Sequence, residues 1–372
     1  MNILLVEPDF PIPKKSKNHS NFLPIGLLKL ANYYWGQNNT VQLIRGNEVA
    51  EFYPKKILIT SLFTYWSKYV KDSVEYYRKL YPKAKITVGG IYATLMPEHC
   101  KEYTKCDEVF VGIHQEAEKC APAYDLVDVD YQIVHGMRGC TRKCHFCGIW
   151  KLEPLQFKTA DQIKAEITTN KVVFYDNNIL VNPDIKNILK MLSSLTVKNR
   201  VVQCECQSGF DGRIIAKKPE LAGLIKKARF SNIRIAWDFA YEQYPLVEKW
   251  IEIFSQAGYP KQELFIFMIF NWSFDYEELE KKRAKCFEWG VQISDCRYRP
   301  LNQTFDNYNP YIAKQTTEDY YIHSNWTDEQ VRQFRRDVRK HNICVRQRIK
   351  WTDYSRKKES MYAKKNHRSF QT

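Results

Sequence analysis

Three cysteines, Cys140, Cys144 and Cys147, stand in a Cys-x3-Cys-x2-Cys pattern within YQIVHGMRGCTRKCHFCGIW, residues 131–150. Ahead of them an apolar run, Ile133 and Val134 and then Met137, gives way to Gly136 and Gly139. A strand that runs into a glycine-punctuated loop can fold three thiolates round one metal centre. Thiolates are soft ligands and suit zinc or an iron–sulfur cluster. Structural zinc takes four ligands, and no fourth Cys or His stands at finger spacing here. A cubane cluster held by only three cysteines leaves one iron open to another ligand.

Cys-x3-Cys-x-aromatic-Cys after a strand, led in by Arg138-Gly139-Cys140, resembles the signature of the radical S-adenosylmethionine (radical SAM) enzymes. The resemblance implies that Cys140, Cys144 and Cys147 hold a [4Fe-4S] cluster whose remaining iron is chelated by the amino and carboxylate groups of SAM. It implies an electron donor such as flavodoxin or ferredoxin, and reductive cleavage of SAM to methionine and a 5′-deoxyadenosyl radical. That radical abstracts hydrogen from a substrate that the sequence does not identify. Phe146 is placed near the adenine through its backbone, and His145 reads as a loop residue without a ligand role.

Strands and helices must position these groups. Helical periodicity runs over residues 160–168, 184–195, 219–228, 244–257 and 275–289, and strands over 172–175, 201–206, 233–237, 264–270 and 291–296. With 132–135 as the first strand this makes six βα repeats, a partial (β/α)6 barrel of the TIM type, which is also the fold that the resemblance implies. Chemistry in such a barrel sits at the C-terminal ends of the strands.

Polar residues at those strand ends are therefore the site candidates. Asp176, Asn177 and Asn178 follow the second strand, where the resemblance implies groups that hold the SAM amino group; an Asx turn is the plainer reading. The third strand, VQCECQ, alternates Gln203, Glu205 and Gln207 with Cys204 and Cys206, so the thiols read as core and the polar face as lumen. Glu205 and Ser208 are candidates for touching SAM or substrate. Asp238 ends the fourth strand, at a position that the resemblance gives to the SAM ribose or carboxylate; a helix N-cap is its other reading. On the sixth strand Asp295 and Arg297 share one face and can act together or form a surface salt bridge. The remaining cysteines, among them Cys100, Cys106, Cys120, Cys286 and Cys344, show no spacing for a second cluster. No catalytic residue is assigned.

Residues 1–120 also alternate strand and helix, which predicts a parallel sheet of Rossmann-like form. PIGLLKLANY, ITVGGIYATLMPE, DEVFVGIHQEAE and PAYDLVDVDYQ resemble the cobalamin-binding domain that precedes many radical SAM barrels, which implies cobalamin as a further cofactor, with methyl transfer or rearrangement as its chemistry. Two features depart from that pattern. There is no Asp-x-His-x-x-Gly, and only residues 46–55 separate the second and third strands, fewer than a crossover helix needs. The expected organisation is a shortened cobalamin-binding-like sheet domain at 1–120, the barrel at 121–300 and a basic helical extension at 301–372.

At 372 residues and 44% hydrophobic composition the chain can bury a sizeable core. The start, MNILLVEPDF, lacks the basic and long apolar regions of a signal peptide. The longest apolar run, residues 264–270, is too short to span a membrane. A cytoplasmic protein with reduced thiols is the expectation. Net charge is +15, and residues 327–372, with 14 basic and 5 acidic side chains, carry +9 of it. Such a tail suits RNA or another polyanion, and equally a solvated helix face. Thr327 and Gln330 form a capping box, Val331, Phe334 and Val338 an apolar stripe, and Arg332, Arg335, Arg336 and Arg339 the outward face; beyond Trp351 the composition reads as disordered. Two alternatives to a plain radical SAM enzyme follow: one that modifies RNA through its tail, and a zinc-stabilised nucleic-acid-binding protein.

Overall fold

The apolar run Asn2–Glu7 (β1) pairs on both sides in a five-stranded, all-parallel sheet of this computed structural model, which describes residues 1–12 and 23–354. Its partners are Thr40–Arg45 (β2) and Lys56–Ser61 (β3), with Lys85–Gly90 (β4) and Glu108–Val109 (β5) beyond β3, in the order β2-β1-β3-β4-β5. Period-2 alternation gives β1 two apolar faces. Ile3 and Leu5 pack with Leu27, Ala31 and Tyr34 of helix Ile25–Trp35 on one face. Leu4 and Val6 pack with Val70, Val74 and Tyr77 of helix Ser67–Leu80 on the other. The sheet is thus doubly wound, with its order reversing between β1 and β3. Residues 46–55 carry no helix, as their length requires; that segment crosses past β1 to the far neighbour.

The Gly89-Gly90 pair at the end of β4 has a local cause. Gly90 has φ +101°, and a Cβ there would stand 2.3 Å from Ser61 O. What approaches closely is the neighbouring strand's backbone. Gly90→Ala is expected to cost at least about 2 kcal/mol, combining left-handed strain with a clash that backbone cannot relieve; urea unfolding with an unchanged midpoint would contradict this.

By their contacts, Met1–Val172, Arg299–Tyr308 and Glu318–Tyr321 form one unit, and Val173–Tyr298, Asn309–Thr317 and Ile322–Thr372 another. The first unit also holds Gln132–Val134 (β6) and an antiparallel hairpin of Met137–Arg138 (β7) with Gln156–Phe157 (β8).

Lys171–Phe174 (β9) carries the chain into the second unit, where Thr196–Val197 (β10) and Arg200–Val201 (β11) form a small hairpin. Gln203–Cys206 (β12) runs parallel to Phe230–Ser231 (β13). Arg234–Ala236 (β14), Phe265–Phe270 (β15) and Gln292–Arg297 (β16) make a second parallel sheet. A bridge between Phe210 and Ile235 links the two groups. Among the described residues no sheet closes on itself, so the architecture is mixed α/β with parallel sheets. No helix of the described residues is long and apolar enough to cross a membrane.

Helix Asp328–Gln347 covers the free edge of β16. Its capping box of Thr327 and Gln330 is formed as predicted, and Val331, Phe334 and Val338 are buried. Asn342 accepts from Ile293 N–H and donates to Ile293 O, both at 2.8 Å, as another strand would. Fully buried His341 puts Nε2 2.8 Å from Val291 O. Burial pushes its pKa down to about 4, against the opposing hydrogen bond to Val291. The unfolded chain takes up a proton below the ordinary histidine pKa of about 6.5 while the folded one does not. Stability therefore falls as pH drops from about 6.5 to about 4, by roughly 3 kcal/mol in all. His341→Gln should flatten that slope in urea titrations between these pH values; an unaltered slope would mean that another group sets it.

Candidate functional site

The cysteine loop belongs to the first unit and is fixed at its neck. Arg138, the last residue of β7, gives Nε to Glu118 Oε1 at 2.9 Å and Nη2 to Glu118 Oε2 at 3.1 Å. Its Nη1 reaches Glu153 Oε1 at 3.1 Å, while Glu153 Oε2 accepts from Gly139 N–H at 3.1 Å. Gly139 has φ +67°, and a Cβ would stand 2.8 Å from Pro154 O, so the turn into the loop requires glycine. Lys29 Nζ lies 2.9 Å from Glu118 Oε1. Buried His135 holds Nε2 3.1 Å from Arg138 Nη1, and burial, aided by the charges of Arg138, Lys29 and Lys158, keeps its pKa well below the usual histidine value.

None of the eleven cysteines is in a disulfide. Six are buried, Cys296 is exposed, and the four half-buried ones are Cys120 and the three of the motif. Accessibility thus separates Cys140, Cys144 and Cys147 from the core thiols. Arg142 N–H donates to Cys140 Sγ at 3.4 Å, and Cys147 N–H donates to Cys144 O at 3.1 Å. Burial pushes the Cys147 thiol up, with Cys140 adding to the shift. As placed, the side chains do not converge: among the described residues no group of three His, Cys, Asp or Glu could hold a metal ion. In donor type and accessibility the loop nonetheless suits a soft metal centre, and a bound cation would supply the charge that thiolates there lack. Phe146 is half-buried on the same loop and His145 exposed.

The sequence also missed a pair. Cys100 and Cys106 are both buried, with Cys106 Sγ donating to Glu108 O at 3.3 Å; the neighbouring Cys106 thiol and burial push the Cys100 thiol up. The helix Pro97–Thr104 that brings them together has no long apolar periodicity to reveal it.

In the second unit the strand-end candidates cluster by strand. Gln207 N–H donates to Phe174 O at 2.9 Å, so β9 and β12 end at one edge. Asp176 and Asn178 are buried there and Asn177 is half-buried. Asn178 Nδ2 donates to Asp211 Oδ2 at 3.1 Å, while its buried Oδ1 has no partner. Cys204 and Cys206 are core, as alternation predicts, and burial pushes both thiols up to about 12. Glu205 faces away from them but is not open: it accepts from Arg234 Nη2 at 2.6 Å and from Asn232 Nδ2 at 3.3 Å. Ser208 is exposed and Asp238 half-buried. The loop after β14 is pinned by buried Lys282, whose Nζ donates to Phe239 O at 2.7 Å and sits 3.9 Å over the Phe274 ring.

Asp295 faces Arg335 across 3.6 Å, and Arg297 is buried. On the basic helix Arg335, Arg336 and Arg339 are exposed as expected, but Arg332 is half-buried against Asp328 at 2.9 Å. The tail beyond residue 354, expected to be disordered and to reach RNA, lies outside the described residues.

No family model matches the chain, and no curated protein does. Among solved structures, Streptococcus suis SuiB bound to S-adenosylmethionine is 16% identical, over 59% of this chain and 48% of that one, with a TM-score of 0.35. The chain thus spans about half the length of that protein. A likeness so slight decides nothing about function.

Proposed function

We propose that the chain is a radical SAM enzyme, holding a [4Fe-4S] cluster through Cys140, Cys144 and Cys147 and cleaving SAM reductively. The observation that carries this is the cysteine loop itself: three accessible thiols at the motif's spacing, on one loop whose entry is fixed, in a chain whose other cysteines are mostly core. Such a cluster, when bound and reduced, supplies one electron to SAM and so yields methionine and a 5′-deoxyadenosyl radical. The chain's own residues hold the metal, orient the nucleotide and keep water from the reacting atoms. Phe146 is assigned to the adenine, and Asp176, Asn177 and Asn178 to the SAM amino group, for which the unpartnered Asn178 Oδ1 is a suitable acceptor. Ser208 and Asp238 are assigned to the remaining polar groups of SAM or substrate. Glu205, already committed to Arg234, is assigned to holding the floor beneath them. In this reading residues 121–300 are the partial (β/α)6 barrel, and the five-stranded sheet is the Rossmann-like domain of 1–120.

Cobalamin is the further cofactor that the sequence resemblance implies for the first unit. A doubly wound sheet takes its ligand beyond the strand C-termini at the switch point. Among the described residues after β1 and β3, Phe10 stacks on Trp66 at 5.3 Å, Phe63 on Tyr65 at 4.9 Å, Arg299 lies 4.6 Å over Tyr65, and Ser67 Oγ donates to Thr304 O at 2.9 Å. No step is assigned to cobalamin. RNA as substrate is proposed for the exposed face of Arg335, Arg336 and Arg339, with flavodoxin or ferredoxin as electron donor.

The test is anaerobic reconstitution with iron and sulfide, then SAM and dithionite, with 5′-deoxyadenosine measured. Its formation is expected in the reconstituted chain; its absence in a chain that has taken up iron would overturn the reading.

A further inference from the structure

We infer that the chain of charges Lys29–Glu118–Arg138–Glu153 is a positioning device that locks the neck of the cysteine loop and ties it to the five-stranded sheet. The charges alternate in sign and their side chains are only 8–18% exposed. Arg138 engages both oxygens of Glu118 and one of Glu153, so its guanidinium plane is fixed from two sides. Glu153 in turn holds the Gly139 N–H, one residue before Cys140. The β7–β8 hairpin is two residues per strand, too short to fix a loop alone. Lys29 belongs to helix Ile25–Trp35, which packs on β1, so the lock is anchored in the sheet.

Buried ion pairs add little net stability compared with apolar packing, but they fix register where orientation matters. Here they decide where three half-buried thiols, which core packing does not hold, begin their turn. The sheet domain thereby positions the metal loop, a role that needs no cofactor of its own. The consequence for metal retention rests on the proposed cluster; the lock itself does not.

The test uses the full chain with Glu118→Gln and Glu153→Gln. In the metal-free protein, amide hydrogen exchange over residues 136–158 is expected to quicken about tenfold in both. Arg138→Lys should match them rather than the parent, since an ammonium cannot reproduce the fork. After anaerobic loading, iron should pass to a chelator about 10- to 100-fold faster. Should Glu153→Gln not fold, Lys29→Met, which leaves both carboxylate contacts of Arg138 in place, is expected to shift exchange in the same direction by a few-fold. Exchange at the parent rate in these variants overturns the inference. A parent chain that takes up no iron overturns the cluster reading instead, and the exchange measurement still decides the lock.

Discussion

Cys144→Ala is expected to abolish 5′-deoxyadenosine formation while leaving the fold intact. Both halves of that expectation come from the loop. A centre with three protein ligands has none to spare, so losing one thiolate leaves the iron labile and the open coordination position misplaced. The Cys144 side chain is half-buried on a loop, outside the hydrophobic clusters, so its truncation should move stability by no more than about 0.5 kcal/mol. Cys204→Ala is the opposite control. Cys204 is 2% exposed in the core, so its loss should cost about 1 kcal/mol and leave SAM cleavage in place. Product formation and urea unfolding on the two variants separate the cases. Undiminished 5′-deoxyadenosine from Cys144→Ala would remove the cluster from the account.

Arg234→Met carries the second large effect, on stability. Arg234 and Glu205 are 9% and 10% exposed and 2.6 Å apart, and Arg234 Nη1 also donates to Cys206 O at 3.1 Å. Removing the arginine leaves a carboxylate buried without its counter-charge, which costs about 3–5 kcal/mol. Glu205→Gln added to Arg234→Met should recover a large part of that loss, because the uncompensated charge is what the single variant suffers. Chemical unfolding of the parent, both singles and the double closes the cycle. Additive losses would mean that the two side chains do not act as a pair.

These cases mark what the sequence made legible. The helices expected over 244–257 and 275–289 lie within a residue of where apolar periodicity put them, because that signal is local. The C-x-C alternation on β12 correctly assigned Cys204 and Cys206 to the core. Long-range polar partners were invisible. Nothing within residues 131–150 announces that Arg138 meets Glu118 and, through it, Lys29, and nothing near Glu205 announces Arg234. Charge pattern alone sent Arg332 outward, although its neighbour at i−4, Asp328, draws it in. Likewise nothing near Asp295 announces Arg335, which a helix from later in the chain brings to 3.6 Å.

Metal and sulfide content after anaerobic purification tests the central claim most directly. About four irons and four acid-labile sulfides per chain, lost together in Cys140→Ala, Cys144→Ala and Cys147→Ala, is the predicted result. About one zinc per chain, with no iron taken up on reconstitution, would contradict it.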